Sequence, residues 1–281
     1  MSATDYTVGL ICSTGAPPSK GGRSQNEDNY LLCRSGEIRF RDGNTEKVLH
    51  RSGHGMLAAV ADGMGGHRFG DLAAAAAVQA LSRMFYRERP SDPESALHSF
   101  FLQGHRKLRA RAIQGQMGDI GTTLAAVWLI DHHAYWAHVG DSRIYHLRGE
   151  TFTRLTRDHT RGEFATRDGR APPSHAGSLA QSFIFGSRGM GLDGDVRIDA
   201  GTDTGVQELM TGDYLLLCTD GLTSAVPDHR LASTLQEGRE PSDCAAWLVE
   251  RAIAAGSDDN ITVMILRVDR SLNEPAELTL W

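Results

Sequence analysis

Nowhere does the chain hold an apolar run of the ~18 residues that a membrane-spanning helix requires, and its first residues, MSATDYTVGLIC, lack a basic stretch ahead of a long apolar segment. Neither a spanning helix nor a secretory leader is expected, and the reading is of a cytoplasmic protein. Positive charge is not in excess: 29 Lys and Arg face 35 Asp and Glu, a net charge of -6. That balance argues against nucleic acid or an anionic membrane as the main partner. Cysteine is scarce. Cys12, Cys33, Cys218 and Cys244 lie far apart without a Cys-x-x-Cys pair, so neither a zinc site nor a disulfide framework is indicated. They read as small buried hydrophobes in a reducing compartment. Phosphate loops are missing too: Gly63, Gly65 and Gly66 fail Gly-x-Gly-x-x-Gly because Arg68 occupies the last position, and Gly-x-x-x-x-Gly-Lys-Ser/Thr does not occur. No internal repeat or low-complexity segment is present.

What remains is an ordinary globular composition, 40% hydrophobic and 23% charged over 281 residues. Nothing forces two domains, and the chain is long enough to bury a substantial core. Short apolar runs bounded by turn residues predict strands at Tyr6 to Cys12, Asn29 to Cys33 and Met56 to Ala61, with a surface hairpin between Ser35 and Gly55. Leu72 to Tyr86 and Ser95 to Ile113 read as helices, the first with Asp71 near its start and the second with Asp92 and Pro93 ahead of it. From Thr122 to Leu155 consecutive strands with breaks of two or three residues predict an antiparallel meander, which excludes a Rossmann layout. The stretch from Arg157 to Gly205 gives no clear pattern. A strand at Asp213 to Thr219, a helix at Cys244 to Ala255 and a strand at Ile261 to Val268 complete an α+β arrangement of packed sheets flanked by helices.

Four of the apolar strands meet an acid at one end. Asp62 follows LAAVA, Asp141 follows AHVG, Asp220 follows LLLCT, and Asp258 and Asp259 precede NITVMIL, while Glu27 and Asp28 stand directly before NYLL. One acid after a strand is ordinarily a turn former; the repetition across remote strands is what points to a site. If those ends converge, several carboxylates share a small volume and cannot all stay ionised without a counter-charge. An all-carboxylate set suits Mg²⁺ or Mn²⁺, whereas zinc asks for histidine or cysteine clusters. Glycines at 63, 65 and 66 leave room for backbone oxygens and a ligand to come close to Asp62. The acids Asp193, Asp195, Asp199 and Asp203 lack the closing glutamate of a calcium loop and read as a solvated acidic loop.

The ordered set Arg23-x-x-Asn26-Glu27-Asp28, Asp62-Gly63-Met64-Gly65-Gly66-His67, Gly121-Thr122-Thr123, Gly140-Asp141-Ser142-Arg143, Asp158-His159, Asp220-Gly221 and Asp259-Asn260 resembles the metal-dependent protein phosphatases, the type 2C serine/threonine class, in their bacterial form. The resemblance runs from residue 23 to residue 260 and implies one catalytic domain over residues 1–281. It implies a four-layer αββα sandwich, two stacked antiparallel sheets flanked by helices, with a dinuclear metal cleft at one edge. By that resemblance Asp62 bridges two Mn²⁺ or Mg²⁺ ions, with the Gly63 carbonyl on one of them. Asp220 and Asp259 complete the first site, Glu27 and Asp28 hold the second directly or through water, and Asp141 supports a third, weaker ion with Asp220.

The implied activity is hydrolysis of phosphoserine and phosphothreonine in proteins by direct attack of a water or hydroxide bridging the two cations. Implied partners are phosphorylated proteins and a cognate serine/threonine kinase, with the enzyme a monomer. Arg23 grips the substrate phosphate, because its planar fork of donors matches phosphate oxygens in pairs. Two departures stand out. Met64 occupies the place of a histidine that in eukaryotic-type members is the candidate proton donor, leaving His67 or a metal-bound water for that role. The segment after Asp158-His159 departs from the relatives' usual flap, so residues around 160–205 form a variable region. The competing reading is a regulatory binding module on the same fold; such a module is expected to have lost at least one acid, and none is missing.

Overall fold

The computed structural model describes residues 5–64, 69–115, 120–167 and 204–270, together with positions 169, 171, 177 and 179. His67, Gly65, Gly66 and the acids at 193, 195, 199 and 203 lie outside the described residues.

The strands are β1 (Asp5–Ser13), β2 (Asn29–Arg34), β3 (Glu37–Asp42), β4 (Thr45–His50), β5 (Met56–Ala61), β6 (Gly63–Met64), β7 (Gly121–Thr122), β8 (Leu124–Ile130), β9 (His133–Val139), β10 (Arg143–Arg148), β11 (Thr151–Arg154), β12 (Thr204–Glu208), β13 (Tyr214–Cys218) and β14 (Ile261–Arg270). The helices are α1 (Gly70–Arg87), α2 (Pro93–Gln114), α3 (Arg161–Arg167), α4 (Asp220–Thr223), α5 (Asp228–Gln236) and α6 (Pro241–Ala254). One sheet runs β1-β14-β13-β10-β11 and the other β12-β9-β8-β5-β2-β3-β4, with β6 and β7 forming a small separate pair. All named pairings are antiparallel.

The four layers follow from strands that are apolar on both faces. In β5, Leu57, Ala59 and Ala61 meet α1 and α2, while Met56, Ala58 and Val60 meet the other sheet. β14 does the same, with Ile261, Val263 and Ile265 against α4, α5 and α6 and Met264, Leu266 and Val268 between the sheets. A continuous apolar run is therefore the pattern of a doubly covered strand, here in antiparallel sheets. The helices start where expected: Asp92 caps α2 by accepting the Ser95 N–H at 3.1 Å, and Asp71 sits in the first turn of α1. All four cysteines are free. Among the described residues no helix is long and apolar enough to cross a membrane.

The expected meander needs one correction. β8 and β9 form a hairpin in the seven-stranded sheet, but β10 and β11 form theirs in the five-stranded sheet. The chain changes sheets at Gly140, whose φ of +106° is a conformation side-chain-bearing residues rarely adopt. Helices α3, α4 and α5 and strand β12 carry no sequence expectation; α4 is a single turn and β12 is a half-exposed edge strand, so neither shows the periodicity that identifies longer elements.

Antiparallel order explains why acids placed after some strands and before others meet. The end of β5 lies beside the start of β2, with Ala61 opposite Asn29; the end of β9 lies beside the start of β8, with Val139 opposite Leu124. In the facing sheet, the end of β13 lies beside the start of β14 and of β10. Asp28, Asp62, Asp141, Asp220 and Asp259 thus fall at one edge of the sandwich.

Candidate metal centre

Asp62 is fixed through its backbone. Its N–H donates to Thr123 Oγ1 at 2.9 Å, and its carbonyl accepts the Thr123 N–H at 2.8 Å and the Thr122 hydroxyl at 2.9 Å. Thr123 Oγ1 lies 2.7 Å from Ser142 Oγ, so the corner that carries Asp141 is tied to the same threonine. Gly121-Thr122-Thr123 and Ser142 thereby aim the two acids without touching their carboxylates.

Gly63 serves close backbone packing. A Cβ there would lie 2.1 Å from the Gly70 carbonyl oxygen and 2.7 Å from that of Glu27. At Gly70 a Cβ would lie 2.3 Å from Glu27 Oε2. The first turn of α1 therefore lies directly against the Glu27 carboxylate, a role for Gly70 that no local sequence signal marks.

Asp28 reaches from the start of β2 to the facing sheet, where its Oδ2 accepts the hydroxyls of Thr219 at 2.9 Å and Thr262 at 2.7 Å. Arg41 donates to the Asp28 carbonyl at 2.8 Å. Asn260 organises the preceding residue: its Oδ1 accepts the Glu27 N–H at 2.8 Å, and its amide donates to the carbonyls of Thr14 and Gln25 at 3.0 and 2.9 Å. The supporting roles of Thr219 and Thr262 are absent from the sequence reading, although Thr219 stands directly before Asp220 and Thr262 two residues after Asn260.

Asp158-His159 braces the Asp141 corner. Arg143 makes a two-pronged pair with Asp158, Nε to Oδ1 at 2.9 Å and Nη2 to Oδ2 at 2.7 Å. His159 Nδ1 accepts the Gly140 N–H at 3.2 Å, and the His159 backbone N–H donates to the Gly140 carbonyl at 2.8 Å. His138 lies against that ring with centroids 4.4 Å apart and planes tilted by 40°, and burial holds its imidazole well below the ordinary histidine range.

The electrostatics are those of crowded acids. Burial first, then the charges of Asp220 and Asp259, push Asp28 up to about 7 against the help of its two threonines. Burial, then Asp220 and Asp158, push Asp141 up to about 7. Asp62 is raised well above the carboxylate range by burial and by Asp28, Asp220 and Asp141, and Asp220 is raised by burial and by Asp259. Asp62 and Asp220 act on each other's ionisation, so the two carboxyls cannot both ionise without cost.

Arg23, Glu27, Asp62, Gly63, Asp141, Asp220 and Asp259 line one cleft of 330 Å³, together with Met64 and with Gly177 and Leu179 from the variable region. Leu179 is held there by a bridge to Thr160. Arg23, half exposed, pairs with Asp259 through Nη2 to Oδ2 at 2.9 Å. Asp28 lies behind the cleft wall. Among the described residues no three histidine, cysteine, aspartate or glutamate side chains close into a ready ligand shell; crowded carboxylates without a counter-charge repel. The residues nevertheless fit hard cations. Asp28 Oδ1, Asp141 Oδ1 and Asp220 Oδ1 are buried with no hydrogen-bond partner, a costly condition that an oxygen-seeking divalent ion relieves.

Comparison with known proteins bears on this cleft. A family profile described as Protein phosphatase 2C matches residues 43–250. The chain is 31% identical over 242 residues to the serine/threonine phosphatase Stp of Listeria welshimeri, covering 84% of this chain and 93% of that protein. Its fold superposes on a Streptococcus agalactiae serine/threonine phosphatase with a TM-score of 0.75, 25% identity, and coverage of 94% and 100%. It also superposes on the catalytic domain of the phosphatase PstP in complex with two manganese ions, with a TM-score of 0.70, 26% identity, and coverage of 93% and 97%.

Proposed function

The chain belongs to the protein phosphatase 2C family and is a metal-dependent serine/threonine phosphatase; on that premise we propose that the acidic cleft is its site of hydrolysis and that Asp62, Asp220 and Asp259 with Glu27, Asp28, Asp141 and the Gly63 carbonyl hold its Mn²⁺ or Mg²⁺ ions. The observation that carries this reading is the trio of buried, unpartnered carboxylate oxygens on Asp28, Asp141 and Asp220. Bound cations supply water activation and neutralise charge growing on the phosphoryl oxygens.

The chain's own residues do the rest. Asp62, locked by Thr122 and Thr123, feels the charges of Asp28, Asp141 and Asp220 and would be the ligand shared between the cations. Arg23 engages Asp259 through Nη2 alone, leaving further guanidinium donors to receive phosphate oxygens in pairs. Met64 offers no proton, so the leaving serine or threonine oxygen takes its proton from His67 or from water. Gly177 and Leu179 line the cleft, which supports a part for this stretch of the chain in selecting the phosphoproteins that enter.

We further read the chain as a single catalytic domain, monomeric and cytoplasmic, reversing the work of a cognate serine/threonine kinase; the four free cysteines support a reducing compartment. The test is hydrolysis of a phosphothreonine peptide with and without Mn²⁺, alongside metal content by mass analysis. Asp220→Asn is expected to abolish nearly all Mn²⁺-dependent turnover while remaining folded, and full retention of activity would overturn the assignment.

A further inference from the structure

A second cleft, of 840 Å³, lies on the outer helical layer between α1 and α2 and shares no residue with the acidic site. It exists because the two helices rest on different strands: α1 lies over β2, β3 and β5, and α2 over β9 and β12. Its floor is apolar, with buried Met84 and half-buried Phe100. Ala80 and Ala96 face the gap with side chains short enough for a third helix to approach at the usual ~8–10 Å between axes.

The rim carries the sign of the partner. Arg83 and Arg87 stand on one wall and Lys107 and Arg111 on the other, all exposed. None of the four pairs with a carboxylate among the described residues. The acids at the rim are Glu88 and Asp92, and Asp92 is engaged as the cap of α2. In a chain of net charge -6, four cations without a carboxylate partner among the described residues, flanking an apolar trough, form a local field of the opposite sign.

We propose that this cleft is a docking groove for an acidic amphipathic helix of a partner protein. The partner's apolar stripe would fill the trough over Met84 and Phe100, and its glutamates or aspartates would meet the two basic walls. This goes beyond the hydrolytic reading and stands independently of it.

The probe is a fluorescein-labelled, glutamate-rich, helix-forming peptide with leucine at every third and fourth position, titrated against the whole chain by anisotropy. Binding is expected to weaken at least about tenfold in Arg83→Glu/Arg87→Glu and in Lys107→Glu/Arg111→Glu, and to fall as salt is raised. Ala96→Trp, which fills the trough without changing charge, should weaken it comparably. Hydrolysis of a small aryl phosphate should stay unchanged in all three, and unchanged thermal melts verify that each is folded. An equally charged peptide without leucine should bind at least about tenfold more weakly. The proposal is overturned if that peptide binds as well, if Ala96→Trp leaves binding intact, if neither charge reversal weakens it, or if anionic phosphatidylserine vesicles are bound in preference to the helix.

Discussion

The Thr262 hydroxyl donates to Asp28 Oδ2 across 2.7 Å, joining the first residues of β14 in one sheet to the acid that opens β2 in the other. This bond favours the ionised form of Asp28, the form that binds a cation. Thr262→Val should therefore weaken Mn²⁺ binding about tenfold, in the range of other supporting residues around metal ligands, while Thr262→Ser should recover most of it. Calorimetric Mn²⁺ titration of both variants checks this.

Asp220 is a carboxylate that burial and Asp259 make costly to ionise. Besides silencing turnover, Asp220→Asn should raise the melting temperature of the metal-free protein by a few degrees, roughly the effect of removing ~1 kcal/mol of repulsion. Scanning calorimetry in chelator provides the measurement; a lower melting temperature would count against crowded charge at this position.

The same crowding sets a pH dependence. Asp28 and Asp141 titrate at about 7 in the folded chain, against ~3.9 for an unfolded aspartate. An acid whose folded value is raised contributes stability that is full below the unfolded value and is lost as pH rises through the folded one. The difference in stability between wild type and Asp141→Asn, both metal-free, should accordingly shift against wild type from about pH 4 to pH 7. Mn²⁺ competes with these protons, so its stabilising effect on wild type should grow over the same span. Melts at several pH values, with and without Mn²⁺, read both trends.

Away from the cleft, buried Asp213 accepts from His146 Nε2 at 2.9 Å, Arg148 Nη2 at 2.7 Å and the Met210 N–H at 2.9 Å. Burial acts to raise its carboxyl, but these bonds prevail and hold it below the ordinary range. Its contribution is present above the unfolded value and is lost as pH falls through the lowered one. Asp213→Ala should cost about 1–3 kcal/mol at neutral pH, since it leaves the buried His146 and the half-exposed Arg148 without their shared acceptor. Urea unfolding monitors the loss.

Gly63→Ala places a Cβ against the main chains of Gly70 and Glu27. The strain should lower stability by about 1–3 kcal/mol and, by moving Glu27, reduce Mn²⁺ affinity. A variant with unchanged Mn²⁺ affinity would show that Glu27 is not held by this contact.

Strand β5 was legible to the residue, because a strand covered on both faces prints its burial as an unbroken apolar run. Helices α1 and α2 were found to within two residues at each end. Helix α4 escaped notice because one turn has no period, and the crossing from β9 to β10 did so because a positive φ at Gly140 leaves no mark in hydrophobicity. At the cleft, the acids were legible as a repetition of strand-end carboxylates. Their supports were not: Thr219, Thr262, Gly70 and the brace of His159 on Gly140 act through contacts between remote segments.

The amino-acid sequence by itself determines which strands are buried and that each relevant one ends or begins in an acid, since both follow from side-chain character along a local repeat. Only the tertiary structure decides that Asp28 crosses to Thr262, that Asp62 comes under the charge of Asp220, and that α1 and α2 part to leave a basic trough. Those outcomes are distances between segments as much as 234 positions apart, and they are set by sheet stacking and strand order, which no short-range pattern encodes.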